Sequence, residues 1–262
     1  MTAALPPISA TLLSSRPIGG GMVELCLEVP DSFCRAAAPG MFVHLKVPDA
    51  PQHLLRRPIS IMDLEPEDNL LILGVQPKGE GTRLIASLGE GRTIDLLGPL
   101  GNGFSLGEAK TVWAIGGGVG VAPMLYACRE FSKAARVTAS LGFRSREMIF
   151  AERDFRESAF RLVIATDDGS AGFCGNALAA LSSHPLPDLI IACGPLPMLR
   201  AVQEFAFVHS VPCQLSLEQH MGCGYGACLT CSCKTAGHDG AEHYARVCAD
   251  GPVFDARKVV LE

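Results

Sequence analysis

Four cysteines near the C-terminus limit what this chain can fold into more than any other feature. They read Cys223-x4-Cys228-x2-Cys231, with Cys248 after sixteen intervening residues. Three of the four sulfurs leave one short loop, so its backbone must wrap closely around whatever they hold. Gly222, Gly224 and Gly226 interrupt that loop and supply conformations that a Cβ forbids. The spacing is the plant-type iron–sulfur pattern, C-x4-C-x2-C with a distant fourth ligand. Structural zinc sites usually pair two C-x2-C knuckles, and only one is present. The expectation is a [2Fe–2S] cluster on Cys223, Cys228, Cys231 and Cys248, with zinc or disulfides as rivals. Backbone N–H groups of such a loop can donate to the sulfurs and tune the potential. Cys233 falls two residues past Cys231 on an extended segment, off the converging rim, and reads as a bystander. His220, His238 and His243 lie nearby. A histidine can replace a thiolate, as in Rieske centres, but four cysteines suffice and the histidines read as surface residues.

Cysteine usage elsewhere sharpens the contrast. Six of the eleven cysteines are scattered singly, mostly in apolar runs, where Cys behaves as a small buried hydrophobe. The N-terminal residues 1–21 carry one basic residue, Arg16, and three prolines; this is no signal peptide. Val112–Leu125 is too short and glycine-rich for a membrane span. A cytoplasmic, membrane-free protein is expected, in which clustered cysteines mean metal or redox chemistry before disulfides. The net charge of −5 and the lack of a basic run exclude a nucleic-acid partner.

The chain's 262 residues exceed one ordinary core, so two or three units are expected. Residues 8–105 read as short strands between Gly and Pro: Val23–Val29, Met41–Val47, Leu70–Gln76 and Thr93–Leu97. With hardly any helical pattern, they suggest a small antiparallel barrel. From Thr111 the rhythm changes. Strands at Val112–Ile115, Val137–Leu141, Leu162–Ala165 and Leu189–Cys193 alternate with helical stretches at Val121–Ser132, Glu147–Ala151, Ala177–Leu181 and Met198–Val208. That alternation marks a parallel sheet with helices on both faces. A last strand, Gln214–Leu217, leads into the cysteines. The expected units are a β-barrel (1–105), a nucleotide-binding α/β unit (106–212) and a small cluster-bearing unit (213–262).

Gly116-Gly117-Gly118-Val119-Gly120 follows the first α/β strand and precedes a helix. That arrangement exposes backbone N–H groups to a pyrophosphate, although Val121 stands at the third glycine position of G-x-G-x-x-G. A turn without a ligand is the plainer alternative. The loops Thr166–Ser170 and Cys193-Gly194-Pro195 leave later strands and should face the same crevice. Asp167 and Asp168 could equally serve turns and caps, and Cys193 could be a core thiol.

Taken together these pieces resemble the ferredoxin–NADP reductase superfamily. Arg57-Pro58-Ile59-Ser60 looks like its R-x-x-S/T flavin motif, and Gly79-Glu80-Gly81-Thr82 like its second flavin-phosphate motif. Gly117–Pro123 and Cys193-Gly194-Pro195 are similar to its nicotinamide motifs. The cysteine segment and Arg246–Phe254 resemble the electron-transfer subunits of type B dihydroorotate dehydrogenases, so that the likeness runs over residues 8–262. The resemblance implies FAD on the barrel, with Arg57 on its pyrophosphate, Gly81 and Thr82 at a phosphate, and Ser60 at the reactive edge of the isoalloxazine. Pro58 and Ile59 complete that motif, and Ile59 stands where many relatives stack an aromatic ring. Gly74, Val75 and Gln76 would offer backbone groups to the pyrimidine edge. NAD(H) would lie against Gly117, Gly118, Gly120, Asp168, Gly194 and Pro195, with Cys193 joining Ser60 at the reacting edge. Arg144 and Arg146 could instead grip the 2′-phosphate of NADPH. The implied partner is a catalytic FMN subunit that oxidises dihydroorotate to orotate, two of each chain forming a heterotetramer. The alternative is the small flavin subunit of an NADH-dependent reduced ferredoxin:NADP oxidoreductase or of a hydrogenase diaphorase.

Overall fold

The computed structural model describes residues 7–48, 52–236 and 242–261. Six N-terminal strands close a barrel: β1 (Ile8–Pro17), β2 (Val23–Glu28), β3 (Phe42–Leu45), β4 (Arg57–Glu65), β5 (Leu70–Val75) and β6 (Thr93–Leu100), in the spatial order β1-β2-β5-β4-β3-β6. Closure removes the sheet edges. The inward residues Leu12, Leu25, Leu27, Val43, Leu45, Ile61, Leu73 and Ile94 fill its core. Two short helices unmarked by sequence periodicity, α1 (Asp31–Ala36) and α2 (Glu80–Ala86), cap the barrel. Their few residues are too short a window for a 3.6-residue period to register.

The second unit is a seven-stranded sheet. It contains β7 (Thr111–Gly117), β8 (Arg136–Phe143), β9 (Arg161–Thr166), β10 (Phe173–Cys174), β11 (Leu189–Cys193), β12 (Cys213–Ser216) and, after the hairpin of β13 (Ser232–Ala236) and β14 (Glu242–Arg246), β15 (Val253–Asp255). The order is β10-β9-β8-β7-β11-β12-β15; all pairs are parallel except β12–β15. Helices α3 (Ala122–Phe131) and α4 (Glu152–Ser158) cover one face and α5 (Leu196–Val208) the other, as the strand–helix rhythm implies. Helix α3 is buried on nearly every side because it is clamped between two cores. Met124, Leu125 and Cys128 face the sheet, while Tyr126 enters the barrel core.

Two expected helices are not formed as read. Residues 147–151 hold only the end of a 3-10 turn, Arg146–Met148; the helix starts afterwards, at Glu152, once Ala151 has turned the chain through φ 54°. There Arg156–Glu152 and Arg153–Glu157 pairs, one turn apart, support it. Over 177–181 there is one 3-10 turn, Ala179–Leu181.

The boundary expected at 212/213 falls directly before β12. Because β12 and β15 both belong to the sheet, the cysteine segment is an excursion between two neighbouring strands. Among the described residues no helix is long and apolar enough to cross a membrane.

Candidate electron-transfer site

Arg57 starts β4, and its guanidinium lies over Gly81 in the first turn of α2. A Cβ on Gly81 would stand 2.7 Å from Arg57 Nε, so glycine is what admits the guanidinium here. Thr82 Oγ1 accepts from the Gly79 N–H at 3.0 Å and closes the helix start. Arg57 also meets His53 Nδ1 at 3.4 Å and the Leu55 carbonyl. Among the described residues no carboxylate pairs with it. Two sequence motifs thus converge on one cation beside a helix N-terminus, a donor set suited to a phosphate. Pro58, Ile59 and Ser60 follow on β4, opposite His44, Val43 and Phe42 of β3. Gly74 is packed against Met62, Ala122 and Met22, the Val75 side chain fills the barrel core, and Gln76 opens outward.

Gln76 leads into a cleft of about 900 Å³ between barrel and sheet. Its walls include Gly117 at the end of β7 and Gly118 after it, Arg144 after β8, Asp167 after β9, and Pro195 after β11, all at the carboxyl ends of parallel strands. Gly118 has φ +55°, and nothing lies within 4 Å of where its Cβ would be; backbone there is open to a ligand. Gly120 is different, since a Cβ would press on the Cys193 carbonyl at 2.5 Å. It allows two strand ends to pack. Gly194 sits against Gly117 and Met198.

Asp167, not Asp168, lines the cleft. The Asp168 carboxylate accepts from Ser170 N–H and Oγ at 2.9 and 2.6 Å, bonds that hold it below its usual range. Arg146 donates through Nε and Nη2 to the Ser170 carbonyl at 3.0 and 2.8 Å. Arg144, not Arg146, reaches the cleft, which Lys78 also lines. Cys193 lies beneath the loop, 1% exposed, and burial pushes its thiol up to about 12, so it is neutral.

The four sulfurs form an inner and an outer pair. Cys231 and Cys248 are buried with Sγ atoms 3.2 Å apart; Cys223 and Cys228 lie nearer the surface. Each sulfur accepts a backbone N–H: Gly226 to Cys248 at 3.1 Å, Ala227 to Cys223 at 3.2 Å, Cys223 to Cys228 and Cys248 to Cys231 at 3.4 Å. The Thr230 hydroxyl, with nearby N–H groups, draws Cys228 down to about 6, whereas burial pushes Cys248 up to about 12. Among the described residues no three His, Cys, Asp or Glu side chains gather as a single metal ion requires. Two thiol pairs with N–H donors on every sulfur suit a dinuclear cluster, whose sulfurs carry the charge. Gly224 and Gly226 have φ +82° and +88°. Gly222 instead has Cys228 Sγ 3.1 Å from its Cβ position. Cys233 belongs to β13, packs beside the inner core and pairs with Ala245. His220 and His243 are exposed; His238 lies outside the described residues.

Sequence reasoning passed over His44. Among the described residues it is the one imidazole wholly buried against the cysteine loop, where burial pushes it down to about 4. The alternation Phe42-Val43-His44-Leu45 carries the signal, because two core neighbours turn a histidine outward.

Residues 218–260 match the family model for the iron–sulfur cluster binding domain of dihydroorotate dehydrogenase B. Over 256 residues the chain is 40% identical to the dihydroorotate dehydrogenase B (NAD(+)) electron transfer subunit of Geobacillus sp. (strain WCH70), covering 96% of this chain and 97% of that one. The chain belongs to this family. The corresponding subunit of Bacillus caldolyticus is 42% identical over 229 residues, 85% of this chain and 87% of its own. Among solved structures, that of the NADH-dependent reduced ferredoxin–NADP oxidoreductase covers all of this chain and 92% of its own, with TM-score 0.84 and 27% identity. Phthalate dioxygenase reductase shares the fold with TM-score 0.61 at 17% identity, over 92% of this chain and 77% of its own. This chain thus has the fold of those reductases, and the cysteine segment is the part that the family model matches.

Proposed function

We propose that this chain carries electrons between NAD(H) and a catalytic dihydroorotate dehydrogenase subunit through FAD and a [2Fe–2S] cluster, in pyrimidine biosynthesis. The carrying observation is that every one of the four cysteine sulfurs accepts a backbone N–H, three of them in a loop seated on the barrel that bears Arg57 and Gly81. When bound, flavin would supply the chemistry that accepts one hydride, with its two electrons, and passes the electrons on singly to a one-electron cluster.

The chain's own residues have separate tasks. Arg57 holds the FAD pyrophosphate with Gly81 and Thr82, and Ser60 orients the reactive edge with Pro58 and Ile59. The backbone of Gly74, Val75 and Gln76 would offer hydrogen-bonding groups to the pyrimidine ring. Gly117 and Gly118 offer N–H groups to the nicotinamide dinucleotide, Gly120 and Gly194 let the strand ends close beneath it, and Pro195 walls the cleft. Cys193 keeps its proton and so places no anion behind the hydride-transfer edge. Asp167 and Arg144 both line the nucleotide cleft, and the NAD(+) in the relatives' names favours NADH as the donor. Cys223, Cys228, Cys231 and Cys248 hold the irons.

The catalytic FMN subunit docks at the cysteine loop in a cytoplasmic heterotetramer, two of each chain. The other reading, the small subunit of a ferredoxin–NADP oxidoreductase, draws on the 0.84 TM-score, but 40% identity against 27% favours the first. Co-purification with a dihydroorotate-oxidising FMN subunit, followed by an assay of NAD-dependent orotate production, tests it. A stable complex with that activity is expected; anaerobic protein lacking flavin, iron and sulfide overturns the proposal.

A further inference from the structure

His44 stands where the barrel meets the cysteine loop. Its neighbours Val43 and Leu45 point into the barrel core, so the pleat turns His44 outward. The ring is 0% exposed, yet neither nitrogen has a hydrogen-bond partner of ordinary geometry among the described residues. An unsatisfied buried polar group costs stability. A leucine or phenylalanine would fill the same space without that cost.

Each side of the residue faces a different cofactor motif. Its backbone is in register with Pro58, and Leu45 with Arg57; Arg56 Nη1 donates to the His44 carbonyl at 3.3 Å. Its ring lies against the cysteine loop so closely that a Cβ on Gly224 would overlap Nδ1. The Cys223 main chain, next to Gly224, is near enough to act on the imidazole. One buried side chain therefore joins the strand pair of the Arg57 motif to the loop that carries three of the four sulfurs.

We infer that His44 is a positioning residue, whose imidazole seats the Cys223–Cys228 loop on the flavin-bearing strands and offers an N–H to that loop in the cluster-loaded protein. The inference rests on the relay reading above. One electron leaves reduced flavin and one ferric iron becomes ferrous; His44 itself is neither oxidised nor protonated in the step. Its contribution is contact and distance.

The test compares full-length His44→Leu and His44→Gln with wild type, each loaded with FAD and cluster. Stopped-flow absorbance separates flavin reduction by NADH from the cluster reduction that follows, and electron paramagnetic resonance reads the reduced cluster. Flavin reduction should change less than about twofold, while a misplaced loop slows cluster reduction by about tenfold or more in His44→Leu. His44→Gln, which keeps an N–H donor, should recover part of the rate, and the resonance g values should shift in His44→Leu. Full FAD and iron content with wild-type cluster reduction and g values in His44→Leu would overturn the inference. If His44→Leu does not retain its cluster, iron content in a double-mutant cycle decides. Gly224→Ala suffers its backbone strain in either background, so His44→Ala should rescue Gly224→Ala specifically through the relieved contact. Additive losses would refute the contact. Wild-type protein lacking flavin or iron would instead sink the relay reading.

Discussion

Arg56 donates to the Asp95 carboxylate at 2.9 Å and to the carbonyls of Asp95 and His44, whereas Arg57, one residue on, reaches Gly81 and finds no carboxylate among the described residues. The two arginines should therefore fail differently. Arg57→Ala should weaken FAD binding by about 10- to 100-fold, the loss of a charge-assisted phosphate contact, and leave iron content unchanged; equal FAD affinity by titration would refute its phosphate role. Arg56→Ala should leave FAD affinity alone and lower stability by about 1–3 kcal/mol, read by denaturant unfolding of the flavin-free chain. At the same scale, Cys231→Ser should abolish cluster assembly while flavin reduction by NADH survives. A full [2Fe–2S] spectrum in that variant would remove Cys231 from the ligand set. The cysteines were legible because three of them share one loop, so spacing alone fixes their convergence. The choice between Asp167 and Asp168 was not, since it depends on which carboxylate Ser170 captures. His44 was hidden for a similar reason: its partner surface comes from a loop 180 residues away.

Helix α3 and strand β4 meet at an ion pair between the barrel and the sheet unit. Arg129 Nη1 lies 2.7 Å from Asp63 Oδ2, and the Asp63 side chain is 2% exposed. Burial outweighs the arginine and pushes this carboxyl up to about 6. Between its ordinary pKa and 6 the folded chain then binds more protons than the unfolded chain, so this site's contribution is full at low pH and declines as pH rises through that window. Asp63→Asn removes the titration. The stability difference should be constant above about pH 7 and move in the wild type's favour from pH 6 to 4, by up to about 3 kcal/mol. A difference independent of pH from 4 to 8 would show that Asp63 does not titrate in that range. Strand periodicity was readable where apolar and other residues alternate along the chain, as in β2. Short helices such as α4 escaped because ion pairs on a seven-residue segment carry no apolar stripe.

At the scale of the molecule, the barrel, the parallel sheet and their order along the chain follow from the change in hydrophobic period near Thr111. Where the third unit begins does not, because strand β15 finds its partner only through tertiary pairing. Its return is reinforced at the barrel, where the Asn102 N–H donates to the Gly251 carbonyl at 2.6 Å and Asn102 Nδ2 to the Asp250 carbonyl at 2.9 Å. Iron chelation should accordingly leave amide protection intact at 253–255 and remove it at 223–231 in hydrogen-exchange measurements. Coincident loss at both would mean that the sheet edge depends on the cluster.

Because β12 and β15 are adjacent antiparallel strands, residues 217–252 amount to a hairpin connection grown large enough to carry metal, anchored at both feet. Such an arm cannot swing. Solvent viscosity should leave internal delivery to the irons untouched, and whichever protein collects the charge has to travel to a stationary outlet.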